Sequence, residues 1–308
     1  MDRLEQHSLW VERYRPQTLD DYIGNDLIKS KVKLYLENKD IPHLLFSGPA
    51  GTGKTSLAKL ITNHIECDLL YVNASDENNV DNVRNKIKLF TSSVGFKSLK
   101  VVILDEADFL TPNAQAALRN IMETFSKHSR FILTCNYAEK IIDPIQSRCQ
   151  VYTVIPPDRK ELAVHLAKIL SQEDIDNDPK DVVTLVNACY PDIRRVINLA
   201  QKQSLNGSLM IDEESSILND YKIRLLEILK TKDRKVAFKE SRQLLADNKL
   251  RDFADIYRLL YDTIDDWGKG HIPECILILA DGQYQDAHVV DKEINFMSTL
   301  IKILGAIK

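Results

Sequence analysis

Eight consecutive residues, Gly48-Pro49-Ala50-Gly51-Thr52-Gly53-Lys54-Thr55, carry the pattern G-x-x-x-x-G-K-[ST], whose residue types suit the holding of phosphate. The glycines let the backbone curl so that successive N–H groups and a helix N-terminus face anionic oxygens. A lysine placed as Lys54 reaches the β- and γ-phosphates, and a hydroxyl placed as Thr55 ligates Mg²⁺. The loop lies between an apolar run, His43 to Ser47, and a helical pattern beginning near Lys54, so it has the strand–loop–helix context this chemistry needs. The expected ligands are a nucleoside triphosphate and Mg²⁺, with Gly51, Thr52, Gly53, Lys54, Thr55 and Ser56 around the phosphates.

A second element follows at Val101-Val102-Ile103-Leu104-Asp105-Glu106, an apolar strand ending in two acids. A carboxylate at the C-terminal end of such a strand lies across from the phosphate loop and can bind Mg²⁺ through water, and the next acid can polarise the attacking water. Asp105 is therefore assigned to the metal with Thr55, and Glu106 to the water. Asp108 completes Asp-Glu-Ala-Asp and reads as a solvated loop acid. Cys135-Asn136 ends a further apolar run, where an amide can sit between the γ-phosphate and the water. Ser147-Arg148-Cys149 and Pro191-Asp192-Ile193-Arg194-Arg195 each offer cations that, taken alone, read as surface residues.

These groups need a scaffold, and the first half of the chain supplies one. His43–Ser47, Leu69–Val72, Lys100–Leu104 and Arg130–Thr134 read as short buried strands, with Gln150–Val154 as a fifth. Between them lie helical patterns at Gly53–Glu66, Asn79–Ser92 and Pro112–Phe125, the last with Thr111 as N-cap and Pro112 at its first position. Strands alternating with helices in units of roughly thirty residues imply an α/β fold with a parallel, doubly wound sheet. After Pro156-Pro157 the strand signal disappears. Asp158–Gln172, Pro179–Ala188 and Asp192–Gln203 look like amphipathic helices, with Asp158 and Asp192 as caps. Asn206-Gly207-Ser208 reads as a turn or linker. Beyond Ile211 the pattern is helical, with breaks expected near Thr231-Lys232-Asp233, Asn248, Gly268–Gly270 and Asp281-Gly282. The expected domains are an α/β domain over 1–156, a small helical domain over 157–208 and an all-helical domain over 209–308.

Composition narrows the setting. At 308 residues, 44% of them hydrophobic and 28% charged, the chain has the make-up of a soluble globular protein. The net charge of −4 excludes a generally polybasic nucleic-acid binder, so any such contact must come from a local basic strip or from several subunits acting together. No apolar stretch approaches the ~18–20 residues that span a bilayer. Met1-Asp2-Arg3-Leu4-Glu5 lacks the apolar core of a signal peptide, so the expected location is the cytoplasm (a host's, if the protein is viral), with no membrane partner. The five cysteines are dispersed without C-x-x-C spacing and the seven histidines show no paired spacing, which argues against a zinc module or a redox pair.

Taken together, these motifs resemble those of the AAA+ ATPases, and specifically the clamp-loader subunits of replication-factor-C type. Val11-Glu12-Arg13-Tyr14-Arg15-Pro16 and Leu19-Asp20-Asp21-Tyr22-Ile23-Gly24-Asn25 look like that family's signature around the adenine. The phosphate loop, Asp-Glu-Ala-Asp, Asn136 and Ser-Arg-Cys follow in the family's order. Asn73-Ala74-Ser75-Asp76 and Gln115-Ala116-Ala117-Leu118-Arg119 are further stretches of the same kind, and the likeness covers roughly residues 8–204. It implies a P-loop NTPase with a five-stranded parallel sheet, a lid and a collar. Val11, Glu12, Arg13, Tyr14 and Ile23 would line the adenine pocket, and Asn136 would sense the γ-phosphate. Arg148 would be an arginine finger acting in trans on the neighbouring subunit's ATP. Arg194 would be a second sensor in its own subunit, and Gln115 and Arg119 would couple DNA contact to the ATP site. Pro191 stands where cellular relatives usually carry glycine, and this proline, the chain length and the lack of a zinc module resemble the bacteriophage clamp loaders.

The resemblance implies DNA-stimulated ATP hydrolysis, with ATP binding opening a ring-shaped sliding clamp and primed-template DNA triggering hydrolysis and release. Copies of the chain would assemble with at least one distinct loader subunit, serving a DNA polymerase indirectly. Arg84 and Lys88 are four apart on the helix after the second strand and so share a face. They are the candidate DNA contacts, to phosphates and without regard to base sequence. Two other readings stand beside this one. A branch-migration or helicase-type motor would end in a winged helix, whereas residues 213–308 have nearly balanced charge and no strand hairpin pattern. A non-hydrolysing ATP-bound scaffold would have lost Lys54 or Glu106, and both are intact.

Overall fold

The computed structural model describes residues 8–75, 80–205, 207–210, 221, 224–230, 233–247, 253–268 and 270–307. The chain divides into two compact units, Met1–Met210 and Ile211–Lys308. The amino-terminal pentapeptide, Asp76, Asn206 and the expected breaks at Thr231-Lys232 and Asn248 lie outside the described residues.

The first unit opens on a short helix, α1 (Trp10–Arg13), and is built on a five-stranded parallel sheet. Its strands are β1 (Leu44–Ser47), β2 (Cys67–Asn73), β3 (Leu99–Asp105), β4 (Ser129–Cys135) and β5 (Gln150–Thr153). Their order across the sheet is β2-β3-β4-β1-β5. The three central strands are apolar at successive positions because both faces are covered. Leu44, Phe46, Val101, Ile103 and Ile132 turn to one side, where they meet Ile28 and Val32 of α2 (Asp26–Asn38) and Leu57, Leu60 and Ile61 of α3 (Lys54–His64). Leu45, Val102, Leu104, Phe131 and Leu133 turn to the other, against Ile87 of α4 (Val80–Ser92) and Leu118, Ile121 and Met122 of α5 (Pro112–Thr124). Each of these fully buried side chains contributes about 1.5–3 kcal/mol of transfer free energy. The second strand is longer than its apolar run suggested. It pairs with β3 from Cys67 opposite Leu99 to Asn73 opposite Asp105, and its polar positions escape a hydrophobicity reading because it is an edge strand facing solvent. Thr111 caps α5 by accepting from Ala114 N–H at 3.3 Å, with Pro112 in the first turn.

His43, just before β1, has a measurable consequence. Its ring packs edge-on to Phe131, and Nδ1 accepts a hydrogen bond from Phe131 N–H at 3.2 Å, so protonation there would break the bond. Burial, with Arg130 nearby, lowers its pKa to about 4. The unfolded chain, with a histidine pKa of about 6.5, takes up a proton that the folded protein refuses. This share of stability is complete above about pH 6.5, declines as pH falls, and is gone near pH 4; its size is about 1–3 kcal/mol. Thermal melts between pH 7.5 and 4.5 should show a steeper acid loss in the parent than in His43→Asn, and parallel curves would refute this.

A short helix, α6 (Asp143–Gln146), precedes β5, and α7 (Arg159–Gln172), α8 (Pro179–Cys189) and α9 (Ile193–Gln203) follow it. Asp158, Asp178 and Asp192 cap these last three, accepting from Lys160, Lys180 and Arg195 N–H at 2.8, 2.8 and 3.0 Å. One expectation is corrected here. Strand structure does not end at Pro156, because Ser204–Leu205 pairs antiparallel with Ser208–Leu209, and Asp176 bridges Ser208. Two-residue strands are too short to leave a periodic signal.

The second unit is helical: α10 (224–230), α11 (Arg234–Asp247), α12 (Ala254–Asp262), α13 (Ile264–Trp267), α14 (Ile272–Asp286) and α15 (Lys292–Ala306). A break occurs at Gly268–Gly270 as expected, but the one expected at Asp281-Gly282 does not, since both residues lie inside α14. Gly282 is there for packing. A Cβ would collide with Thr299 of α15, and the Gly282 carbonyl accepts from Asn295 Nδ2 at 2.9 Å.

Candidate nucleotide site

The strand order puts the carboxyl ends of β3, β4 and β1 side by side, and the reactive residues follow from that. The phosphate loop leaves β1, Asp105-Glu106 ends β3, and Asn136 follows β4. Gly48, Gly51 and Gly53 all have positive φ, at 145°, 73° and 92°. A Cβ on Gly48 would meet the Val154 carbonyl, and one on Gly51 would meet the Asp192 carboxylate. The carbonyl of Gly51 accepts from Ile193 N–H at 3.2 Å, which seats the start of α9 on the loop.

Lys54 is almost fully buried, and its Nζ donates to the carbonyls of Gly48 (2.8 Å) and Pro49 (2.7 Å) and to Asn136 Oδ1 (2.9 Å). Burial pulls its pKa below the ordinary lysine value, an effect opposed by Cys135, Asp105 and Asp108. Thr55 Oγ1 lies 2.8 and 3.0 Å from the two oxygens of Asp105. Asp105 also accepts from Tyr71 OH at 2.7 Å and from Thr134 Oγ1. Glu106 sits in the left-handed region at φ 56°, its N–H donating to Thr134 Oγ1 at 3.1 Å. A left-handed non-glycine residue costs of order 1–3 kcal/mol, and here it turns the chain out of β3 so that the Glu106 side chain lines the phosphate cleft.

The residues form two adjoining clefts. One is lined by the loop, Thr55, Ser56, Asp105, Glu106, Asn136 and Arg194. The other is lined by Val11, Glu12, Tyr14 and Ile23, again with Gly51, Thr52, Gly53, Ser56 and Arg194. Arg194 reaches both, so a guanidinium from the helical part stands at the junction of a polar and a more apolar cleft. Arg15, Tyr22, His165 and Ile197 also line the second cleft, beyond the residues expected from the sequence. Tyr22 lies inside one of the family-like stretches, but His165 and Ile197 sit on α7 and α9 with no local signal. Arg13, expected in this cleft, instead pairs with Glu173 at 2.6 Å, beside Tyr14 OH, which bonds the same carboxylate at 2.6 Å. Burial and then Glu173 push the Tyr14 hydroxyl up to about 12.

The arrangement fits a nucleoside triphosphate with Mg²⁺. A backbone cradle with no room for side chains and a buried ammonium suit the phosphates, and the Thr55 hydroxyl beside the Asp105 carboxylate supplies hard oxygen donors of the kind this ion takes.

Asp108 requires a correction. It is buried rather than solvated, and its Oδ2 accepts from the N–H groups of Asn136 (3.2 Å) and Tyr137 (3.3 Å), while Oδ1 has no partner among the described residues. Its role is to tie the turn after β3 to the end of β4. Gln115 is buried too, donating to the carbonyls of Leu110 (3.1 Å) and Lys140 (2.9 Å) and accepting from Ile142 N–H (2.8 Å), so it joins α5 to the loop that follows Asn136. Arg119 lies on the surface, bonded to Asn120 Oδ1 at 2.8 Å. Arg148 does not line its own chain's clefts. It pairs with Glu123 and donates to the Pro144 carbonyl at 2.6 Å. Arg84 and Lys88 are exposed and flank an open groove with Ala116, Ala117, Asn120 and Thr124 of α5.

Comparison with known proteins agrees with this geometry. Residues 44–157 match the ATPase family associated with various cellular activities (AAA). The replication factor C small subunit of Sulfurisphaera tokodaii is 40% identical over 222 residues, 70% of this chain and 68% of that protein. The chain belongs to the replication factor C small subunit family. The family member from Halobacterium salinarum is 44% identical over 214 residues, 68% of this chain and 66% of its own length. The matched stretch thus spans about two-thirds of these archaeal relatives. Among solved structures, the Thermotoga maritima RuvB Holliday junction branch migration motor superposes with a TM-score of 0.55 at 20% identity, over 82% of this chain and 79% of that one. At that identity the likeness is one of fold. No helix among the described residues is long and apolar enough to cross a membrane.

Proposed function

We propose that this chain is an ATPase subunit of a DNA polymerase sliding-clamp loader, which binds ATP to open the clamp and hydrolyses it when clamp and primed-template DNA are both engaged. The observation that carries this is the gathering of Lys54, Thr55, Asp105, Glu106, Asn136 and Arg194 around one cleft in a chain of the replication factor C small subunit family.

The residues divide the work. The loop N–H groups and Lys54 hold the phosphates, and Lys54 can reach them by exchanging its bonds to Gly48, Pro49 and Asn136 for bonds to phosphate oxygen. Thr55 and Asp105 would hold Mg²⁺, which would supply positive charge to neutralise the phosphate oxygens. Glu106 accepts the proton of the attacking water, Asn136 orients that water, and Arg194 reports the γ-phosphate to α9 and the lid. Val11, Tyr14, Tyr22 and Ile23 surround the base. Arg148, turned away from its own cleft, serves the ATP of a neighbouring copy, which makes an assembly obligatory for hydrolysis. The domain division at 156 and 208 follows these roles, with the collar after residue 208 joining the copies to each other and to a distinct loader subunit. Leu277 and Tyr284 on α14 and Ile294 and Ile301 on α15 are exposed apolar side chains spaced seven apart, which suits such a contact. The setting is the cytoplasm. The relatives found are archaeal, so the likeness to bacteriophage loaders rests on Pro191, the chain length and the lack of a zinc module alone.

Arg84 and Lys88 bind DNA phosphates, and their groove against α5 lies on the helix that carries Gln115 and Arg119, a short path from DNA to the loop holding Asn136. The test is ATP turnover with and without primed-template DNA and a sliding clamp. The parent should be stimulated by both together, and turnover indifferent to both would favour a branch-migration motor. Arg84→Ala with Lys88→Ala should weaken DNA binding equally across template sequences. The double substitution should lower the salt slope by about one for each phosphate no longer neutralised, with ATP binding kept within about twofold. An unchanged salt slope would remove these residues from the DNA face.

A further inference from the structure

We propose that Tyr71 is a positioning residue for the metal site, its hydroxyl fixing the Asp105 carboxylate and thereby setting the affinity of the site for Mg²⁺. The inference rests on the reading that this cleft binds Mg²⁺ with ATP, and it goes beyond that reading by assigning a residue of the edge strand to the ion.

The backbone register brings the two side chains together. Tyr71 of β2 stands opposite Ile103 of β3, two residues before Asn73 stands opposite Asp105. Residues directly opposite share a face, and so do residues two apart on one strand, so Tyr71, Ile103 and Asp105 all turn to the side covered by α3. There the phenol lies under Lys59 of α3, whose Nζ is 4.9 Å from the ring centroid, and the hydroxyl ends 2.7 Å from Asp105 Oδ2.

Asp105 is buried and has no ion pair among the described residues. Its neighbours are three neutral hydroxyls. Thr134 donates to Oδ1, Tyr71 to Oδ2, and Thr55 lies within hydrogen-bond distance of both oxygens. Thr55 comes from the phosphate loop, Thr134 from β4 and Tyr71 from β2, so the carboxylate is tied to three separate elements. A carboxylate held on only one side is free to turn about its Cβ–Cγ bond. With Tyr71 and Thr134 on opposite oxygens, the carboxylate plane stays fixed while Thr55 engages the ion. Partners of this kind, which touch a ligand and not the metal, typically alter metal affinity 10–100-fold.

Tyr71→Phe removes one hydroxyl and keeps the ring and its contact with Lys59. The full chain would be titrated with a fluorescent ATP analogue in EDTA, and then with MgCl₂ at fixed analogue. The variant should bind the analogue without metal within about twofold of the parent, and its Mg²⁺ midpoint should rise about tenfold. A Mg²⁺ midpoint within twofold of the parent overturns the proposal. An equal loss in EDTA and in Mg²⁺ also overturns it, because the hydroxyl would then be supporting the fold rather than the ion. Failure of the parent itself to bind the analogue, or to respond to Mg²⁺, would instead sink the nucleotide-site reading on which the proposal stands.

Discussion

Replacing Arg148 by alanine is expected to abolish most ATP turnover while leaving each subunit's own ATP binding intact. The side chain does not line its own clefts, and its partners here are Glu123 and the Pro144 carbonyl. A surface pair such as Arg148–Glu123 is worth only about 0–1 kcal/mol, so a neighbour's triphosphate can draw the guanidinium away. An arginine supplied in trans to phosphoryl transfer contributes roughly 10³–10⁵-fold in rate, by stabilising charge that develops only in the transition state. The geometry provides its own control. Arg148→Ala subunits mixed with Glu106→Gln subunits should recover part of the activity, because some interfaces then unite an intact Glu106 with an intact Arg148. An arginine acting in cis, or one that only braces α5, predicts no recovery at any ratio. Sizing the mixtures shows that mixed assemblies form and makes a negative result decisive.

Glu106→Gln should separate binding from chemistry inside one subunit. The amide has nearly the shape of the carboxylate, so the left-handed backbone at residue 106 and the bond from its N–H to Thr134 are kept. What disappears is the ability to take a proton from water, and general-base catalysis of this kind contributes typically 10²–10⁴-fold. Turnover should therefore fall by at least about 10²-fold in saturating ATP, with nucleotide affinity within about twofold. Asp105 and its three hydroxyl partners are untouched, so Mg²⁺ dependence of binding should persist. Near-parental turnover would move the base to another group. A large loss of affinity would mean that Glu106 holds the nucleotide rather than the water.

The chemistry was legible in short segments because each functional piece is local. The phosphate loop needs glycines where the backbone has positive φ, a lysine and a hydroxyl, all within eight residues. The acids must end an apolar strand, and Val101 to Glu106 shows both the strand and its end. Alternation of short apolar runs with helical patterns was enough for a parallel sheet, since crossover connections demand it. Helix starts at Thr111, Asp158 and Asp192 could be read because capping is a contact between residues two or three apart.

Other features depend on which elements become neighbours, and no local pattern encodes that. Only the strand order puts β4 between β3 and β1 and so brings Asn136 within 2.9 Å of Lys54, though 82 residues separate them. Asp108 read as solvated because an acid in a turn usually is, and only the end of β4, with two N–H groups to satisfy, makes its burial tolerable. Arg13 left the expected base cleft because Glu173, at the far end of α7, offers a carboxylate at 2.6 Å. Gly282 looked like a helix break and is instead the place where α15 packs close to α14. Tyr71 shows the same limit: its register opposite β3 alone turns an ordinary edge-strand tyrosine toward Asp105. The amino-acid sequence by itself determined which groups this protein has for phosphate chemistry, because backbone conformation and reactivity there are properties of adjacent residues. The tertiary structure alone decided how those groups are held and oriented, because burial and long-range pairing arise only when distant segments pack together.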